Sequence, residues 1–269
     1  MKASSRKQFD GTPGLTLCSP VYPRRATAIK LHGLGATLAI TDVSQEGVSQ
    51  TLELCGGGKQ HFAQTLDVSK QADVESRVAE IVASLGRIDH VFNCAGINPT
   101  AFPLTEVSEE YYDKLMAVNL KGVFSVTRAT MPHVTASRGS YVNVSSVLGV
   151  RAGAEYATYC ATKWGRFLSV RTSANRVVWT GVIGFSKAMA LELGPKGVRV
   201  NIVAPGYITT PTNAGVAKGT DDAIKEMEQA NSLGRMGTPE EIADVVAFLM
   251  SDEARYMNGS VVEVDGMMK

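Results

Sequence analysis

The chain has little that could hold a metal or a disulfide framework. Its four cysteines, Cys18, Cys55, Cys94 and Cys160, show no C-x-x-C spacing, and its four histidines, His32, His61, His90 and His133, are scattered. The thiols therefore read as reduced, and no metal centre is expected. No apolar run is long enough to span a bilayer. The basic start, Met1-Lys-Ala-Ser-Ser-Arg-Lys7, is not followed by the apolar stretch of a secretory signal. Charge of one sign is also lacking: 27 Lys+Arg face 26 Asp+Glu, a net +1. That balance gives no footprint for nucleic acid or for a membrane surface. Internal repeats, linkers and low-complexity segments are absent too, so the expectation is one domain over 1–269 in the cytoplasm.

What is present is alternation. Apolar runs that end in turn residues occur at 36–41, 60–66, 90–93, 141–144, 198–203 and 261–264. Helical patterns lie between them; Val74, Val78, Ile81 and Val82 recur near helical spacing in 70–85. Gly237-Thr-Pro-Glu-Glu241 reads as a helix start with acids in its first turn. This order predicts an α/β fold, a doubly wound parallel sheet with helices on both faces. Ligands bind such sheets at the carboxyl ends of the strands. Asp42, Asp67, Asn93, Ser146 and Pro205-Gly206 all fall there.

Tyr159-Cys-Ala-Thr-Lys163 carries the chemistry. A tyrosine and a lysine four apart on a helix share a face. An adjacent ammonium favours phenolate and lowers the phenol's pKa, so the pair can exchange a proton with a carbonyl or alcohol oxygen. Alone the pattern is weak. Ser146, thirteen residues before the tyrosine, strengthens it, although Ser145 is an adjacent rival. Cys160 has no histidine in register and is not read as a nucleophile. Asp42 could cap the helix that follows, accept hydrogen bonds from a ribose, or do both.

From about residue 25 the chain resembles a short-chain dehydrogenase/reductase. The matching pieces are Arg25-Ala-Thr-Ala28, Asp42, Leu66-Asp-Val68, Asn93-Cys-Ala-Gly96, Val118-Asn-Leu-Lys-Gly122, Asn143-Val-Ser-Ser146, Tyr159-x-x-x-Lys163, Pro205-Gly-Tyr-Ile-Thr-Thr210 and Gly234-Arg-x-Gly-x-Pro-Glu-Glu241. The resemblance implies a Rossmann-type fold, NAD or NADP, and hydride transfer between nicotinamide and a ketone or secondary-alcohol carbon. It makes Tyr159 the general acid/base and Lys163 its modulator and a ligand of the nicotinamide ribose. Ser146 would hydrogen-bond the substrate oxygen, and Asn119 would hold a water of a proton relay, though an asparagine there could equally bond locally. Asp67 is expected near the adenine, Asn93 near the adenosine ribose, and Ile208 and Thr210 near the carboxamide. An acid at 42 repels a 2′-phosphate and so leans to NAD. The resemblance also implies a homo-oligomer, dimer or tetramer. The loops at 97–107, 147–157 and 211–232 suit a small, moderately apolar substrate of the kind met in secondary metabolism, with 214–219 as a candidate lid.

Two stretches depart from the family. Its glycine-rich loop should place glycines at 18, 22 and 24, where Cys18, Tyr22 and Arg24 stand. The preceding Gly11-Thr-Pro-Gly-Leu-Thr-Leu17 is poor strand material because of Pro13 and Gly14. The second departure is 165–180. Deleting it restores Lys163-Trp-Gly-Val-Ile-Gly-Phe without a seam, and its sixteen residues carry Arg166, Arg171 and Arg176 but no acid. Both stretches are abrupt and flanked by intact pattern, as a frame or splice fault would leave them; sequencing the mature transcript, with peptides from both regions, tests this. The alternative is a non-catalytic descendant of the family with impaired cofactor binding.

Overall fold

The structure, a computed structural model, describes residues 13–17, 24–58, 60–165, 181–210 and 221–268. In chain order the elements are β1 (Pro13–Leu17), α1 (Arg24–Gly33), β2 (Thr37–Asp42), α2 (Gln45–Leu54), β3 (Phe62–Thr65), α3 (Gln71–Leu85), β4 (His90–Asn93) and α4 (Glu109–Leu115). A π-helical turn, Met116–Lys121, leads into α5 (Gly122–Ser137). Then come β5 (Ser140–Val144), α6 (Ala157–Lys163), α7 (Gly181–Leu193), β6 (Arg199–Pro205), α8 (Asp221–Gln229), α9 (Pro239–Met250) and β7 (Val261–Val264).

The seven strands form one parallel sheet in the order β3-β2-β1-β4-β5-β6-β7. The chain winds outward from β1 in both directions, which is the Rossmann-type arrangement. Because successive strand residues face opposite ways, each buried strand feeds two cores. Leu38, Ile40, Phe92, Val142 and Val203 pack on the side of α1 and α9. Ala39, Val91, Tyr141 and Val200 pack on the side of α3, α5 and α7. Each fully buried Leu, Ile, Val or Phe contributes about 1.5–3 kcal/mol.

The 11–17 stretch corrects the sequence expectation. Its described residues, 13–17, do form a strand, central between β2 and β4, with Pro13 opposite Thr37 and Gly14 between Leu38 and His90. Proline is tolerated as the first residue of a strand, and two flanking strands supply the ladder that local propensity does not. Residues 18–23 lie outside the described residues, so of the three glycine-loop substitutions only Arg24 can be placed.

The 165–180 stretch leaves a visible join. A Cβ added to Gly181 would stand 2.7–2.8 Å from Ala161 O, Thr162 O and Trp164 N. The first residue of α7 therefore abuts the last turn of α6. Residues 166–180 lie outside the described residues, and the framework on either side of them meets as though they were not there.

Candidate active site

The site lies at the carboxyl ends of β2, β4, β5 and β6. There the chain leaves one strand for the next helix, and the described cleft divides into two cavities. The first, 580 Å³, is lined by Thr41, Asp42, Leu66, Asp67 and Val118 among others. The second, 260 Å³, is lined by Ser146, Leu148, Tyr156, Tyr159, Lys163, Tyr207, Ile208, Thr210, Met227 and Met268 among others. Arg24, Gly96 and Ile97 line both.

Tyr159 and Lys163 occupy one face of α6, and both are buried. The Tyr159 phenol is hydrogen-bonded to Ser146, yet burial pushes its pKa up to about 12. The expected lowering by Lys163 is not what this geometry yields. The ammonium sits 5.9 Å from the ring centroid and donates instead to Val144 O at 2.9 Å, while burial pushes the lysine's own pKa down to about 8. Removal from water opposes charge on both groups.

The two serines separate cleanly. Ser145 Oγ donates to Lys163 O at 2.8 Å and is buried, so it pins the end of α6. Ser146 Oγ accepts from Leu148 N at 3.2 Å and faces Tyr159.

Asn119 lies within the π-helical turn. Its Oδ1 accepts from Ile97 N at 2.7 Å, and its Nδ2 donates to Ile97 O at 3.1 Å. The side chain thus clamps the loop after β4. The same loop brings Gly96 close beneath the site: a Cβ there would lie 3.3 Å from Asn119 Oδ1 and 3.7 Å from Lys163 Nζ.

Asn93 does not reach the cleft and lines neither cavity. Its amide donates to Thr127 Oγ1 at 3.2 Å and to Asn143 Oδ1 at 2.9 Å, and Asn143 in turn donates to Ser186 Oγ at 2.7 Å. The side chain is therefore engaged within the core, and a place near the adenosine ribose would fall to the backbone at the end of β4. The amide ties β4, β5, α5 and α7 together, because the strand register turns it into the core.

Asp42 is not the cap of α2; Ser44 is, with Oγ accepting from Gly47 N at 3.2 Å. Asp42 Oδ1 accepts from Ser44 N at 2.8 Å, and burial raises the carboxyl's pKa to about 6 despite that bond and the nearby Arg24. Asp67 stands at the mouth of the first cavity, accepting from Ser69 Oγ at 2.6 Å and Ser69 N at 3.0 Å. Ile208 and Thr210 line the second cavity. The lid expected at 214–219 lies outside the described residues.

Sequence reasoning gave Tyr156, Tyr207, Met227 and Met268 no individual role, although all four line the second cavity. Tyr156 flanks one quoted motif and Tyr207 lies within another, so both could have been found from that. Met268 is brought in by Arg151, which donates to its carbonyl at 2.5 Å, a contact 117 residues apart that no local pattern announces. Among the described residues, no group of three or more His, Cys, Asp or Glu could hold a metal ion, and no helix is long and apolar enough to cross a membrane.

A family profile described as Enoyl-(Acyl carrier protein) reductase matches residues 25–180 and 176–268. The chain belongs to the short-chain dehydrogenase/reductase family. The match begins just after the altered glycine loop, and its two parts meet at the extra residues. The chain is 36% identical to human (3R)-3-hydroxyacyl-CoA dehydrogenase over 90% of its own length and 89% of the relative's. It is 37% identical to 3-oxoacyl-[acyl-carrier-protein] reductase FabG of Thermotoga maritima, covering 90% and 91% of the two chains. It is 35% identical to levodione reductase of Leifsonia aquatica, covering 90% and 88%. The protein is an NAD(P)-dependent oxidoreductase of the ketone/secondary-alcohol type.

The described residues fit a dinucleotide. Two cavities adjoin along the strand ends, and the space beside Gly96 is one that a side chain would crowd. Asp42 and Asp67 would face its adenosine half; Tyr159, Lys163, Ile208 and Thr210 would face its nicotinamide half.

Proposed function

We propose that the protein reduces the ketone of a small, moderately apolar substrate, with Tyr159 as the proton donor. What carries this reading is one arrangement: Ser146 hydrogen-bonded to a buried, neutral Tyr159, with Lys163 on the same helix face. A reduced nicotinamide, when bound, supplies the hydride to the carbonyl carbon. The substrate oxygen sits between Ser146 Oγ and Tyr159 Oη, and the phenol gives its proton to that oxygen as the alcohol forms. Lys163 and Tyr159 hold the nicotinamide ribose, and Asn119 fixes the loop that carries Gly96 and Ile97.

Apolar or aromatic side chains dominate the second cavity, with Leu148, Tyr156, Tyr207, Met227 and Met268 around Tyr159. This supports an apolar body next to the reacting carbonyl, and the acyl, acyl-carrier and cyclic-ketone chemistries in the relatives' names are the classes to screen. We assign the protein to the cytoplasm and to secondary metabolism on the same footing; the free, buried Cys55, Cys94 and Cys160 suit a reducing compartment. A homodimer or homotetramer is proposed from the half-exposed Phe124, which packs edge-on against Phe185 on the outer face of α5 and α7.

The test is reduction of 3-oxoacyl thioesters and cyclic ketones by the chain and by Y159F. Turnover that survives Y159F unchanged would overturn the assignment. A second reading, a non-catalytic member of the family, is favoured by the bulk of Arg24 in the cleft. It is separated by titrating NADH and NADPH and following nicotinamide fluorescence, since a chain that binds neither is no oxidoreductase as written.

A further inference from the structure

The segment after β7 turns back to wall the second cavity. Gly266 and Met267 both adopt left-handed backbone, with φ of 64° and 60°. Asp265 closes the turn: Oδ1 accepts from Met267 N at 3.0 Å and Oδ2 from Met268 N at 3.1 Å. Met267 is left exposed, and Met268 enters the cavity wall. A left-handed methionine is unfavourable by itself and persists only where its surroundings hold it.

Two neighbours hold it. Ser232, three residues after α8, donates from Oγ to Gly266 O at 2.8 Å and from its amide to Gly266 O and Met267 O, each at 3.0 Å. On the other side stands Arg151. Its Nη1 donates to Met268 O at 2.5 Å; its Nη2 donates to Glu263 Oε2 at 3.1 Å and lies 3.4 Å from Asp265 Oδ2. One planar fork thus grips three residues of the segment, which a point charge could not do. Arg151 is itself fixed, since its amide donates to Val147 O at 2.7 Å in the turn that Ser146 caps. The guanidinium therefore fastens the turn bearing Ser146 to the wall bearing Met268. Helix α8, which carries Met227 into the same cavity, is tied in through Ser232.

The enclosed space is small. Its 260 Å³ is below the usual range for a ligand pocket, about 300–1,000 Å³, and it must also admit the nicotinamide end of a dinucleotide. We propose that Arg151 is a positioning residue that limits substrate size: it locks Met268 in place, so the pocket takes compact ketones and rejects those with a long chain. The inference rests on the ketone-reductase reading above.

Two series of probes test it in the full chain. One is the N-acetylcysteamine thioesters of 3-oxobutanoate, 3-oxooctanoate and 3-oxododecanoate; the other is cyclohexanone with 4-ethyl- and 4-hexylcyclohexanone. In whichever series is reduced, wild-type kcat/KM should favour the short member. R151A should shrink that preference by roughly tenfold, the range of one charge-assisted contact. The change should lie in KM for the long member, not in kcat. R151K should restore part of the preference, and M268A should relax it as R151A does. Amide exchange at Met267, Met268 and Ser232 should quicken in R151A while β5 and β6 keep their protection. If R151A fails to fold by circular dichroism, R151K and M268A decide. A wild type that favours the long member overturns the proposal. So does an R151A that lowers kcat alike for all members, or an M268A with an unchanged preference. No turnover in either series overturns the ketone reading and this inference with it, whereas turnover with the same preference in wild type and R151A overturns this inference alone.

Discussion

Tyr159 is kept as a neutral phenol by burial, which suits an acid that gives its proton only as a carbonyl accepts the hydride. Y159F should lower turnover by about 10²–10⁴, the range for a general acid, with an unchanged melting temperature in circular dichroism. Lys163 makes a separate prediction for stability. Its folded pKa, about 8, lies below the ordinary 10.5. Between those values the unfolded chain holds a proton that the folded chain has shed, so stability climbs as pH rises through this window. Below about pH 8 the buried charge weighs fully against the fold. Thermal melts from pH 7 to 11 should therefore show the wild type gaining on K163M up to about pH 10.5 and then levelling; a constant difference would refute the shift. At this scale the sequence exposed what periodicity controls. Tyr159, Lys163 and Ser146 converge because a helix repeat and a strand end bring them together. The directions of the Asn93 and Asp42 side chains were less legible, because strand register turns Asn93 into the core and Ser44, the alternative to Asp42, caps α2.

The helices and strands were legible where pattern was dense. Helix α9 follows from Thr238-Pro-Glu-Glu241: Thr238 Oγ1 accepts from Glu241 N, Glu241 Oε2 accepts from Thr238 N, and Pro239 sits where no backbone donor is needed. T238A should cost about 1 kcal/mol, a fall of roughly 2–4 °C in melting temperature for a domain of this size. Strand β1 was illegible because Pro13 and Gly14 have no strand preference; β2 and β4 impose the conformation from outside. At the α6–α7 join, a chain lacking 165–180 should fold and melt at or above the parent temperature. Closing a loop of this length costs roughly 2 kcal/mol of chain entropy, and the apposed Gly181 leaves little to repair. Loss of cooperative unfolding in the shortened chain would show that the extra residues are structural.

Across the whole molecule, the parallel sheet gathers the site at the carboxyl ends of its strands, while the half-exposed Phe124 stands on the outer face of α5. Sedimentation should find an oligomer, and F124E should shift it toward monomer while the far-ultraviolet spectrum is kept; a wild-type monomer would remove this face as an interface. The parallel order was readable from strand–helix alternation, whereas the wall formed by Met268 was not, since Arg151 reaches it across 117 residues of sequence. The meeting of α6 and α7 has a practical side as well. Because Gly165 and Gly181 both pack into the framework they border, the stretch between them is a natural port for cargo. An epitope or a small reporter exchanged for 166–180 would stand next to the catalytic helix without asking the sheet to rearrange, and its signal would report on the segment that holds Tyr159.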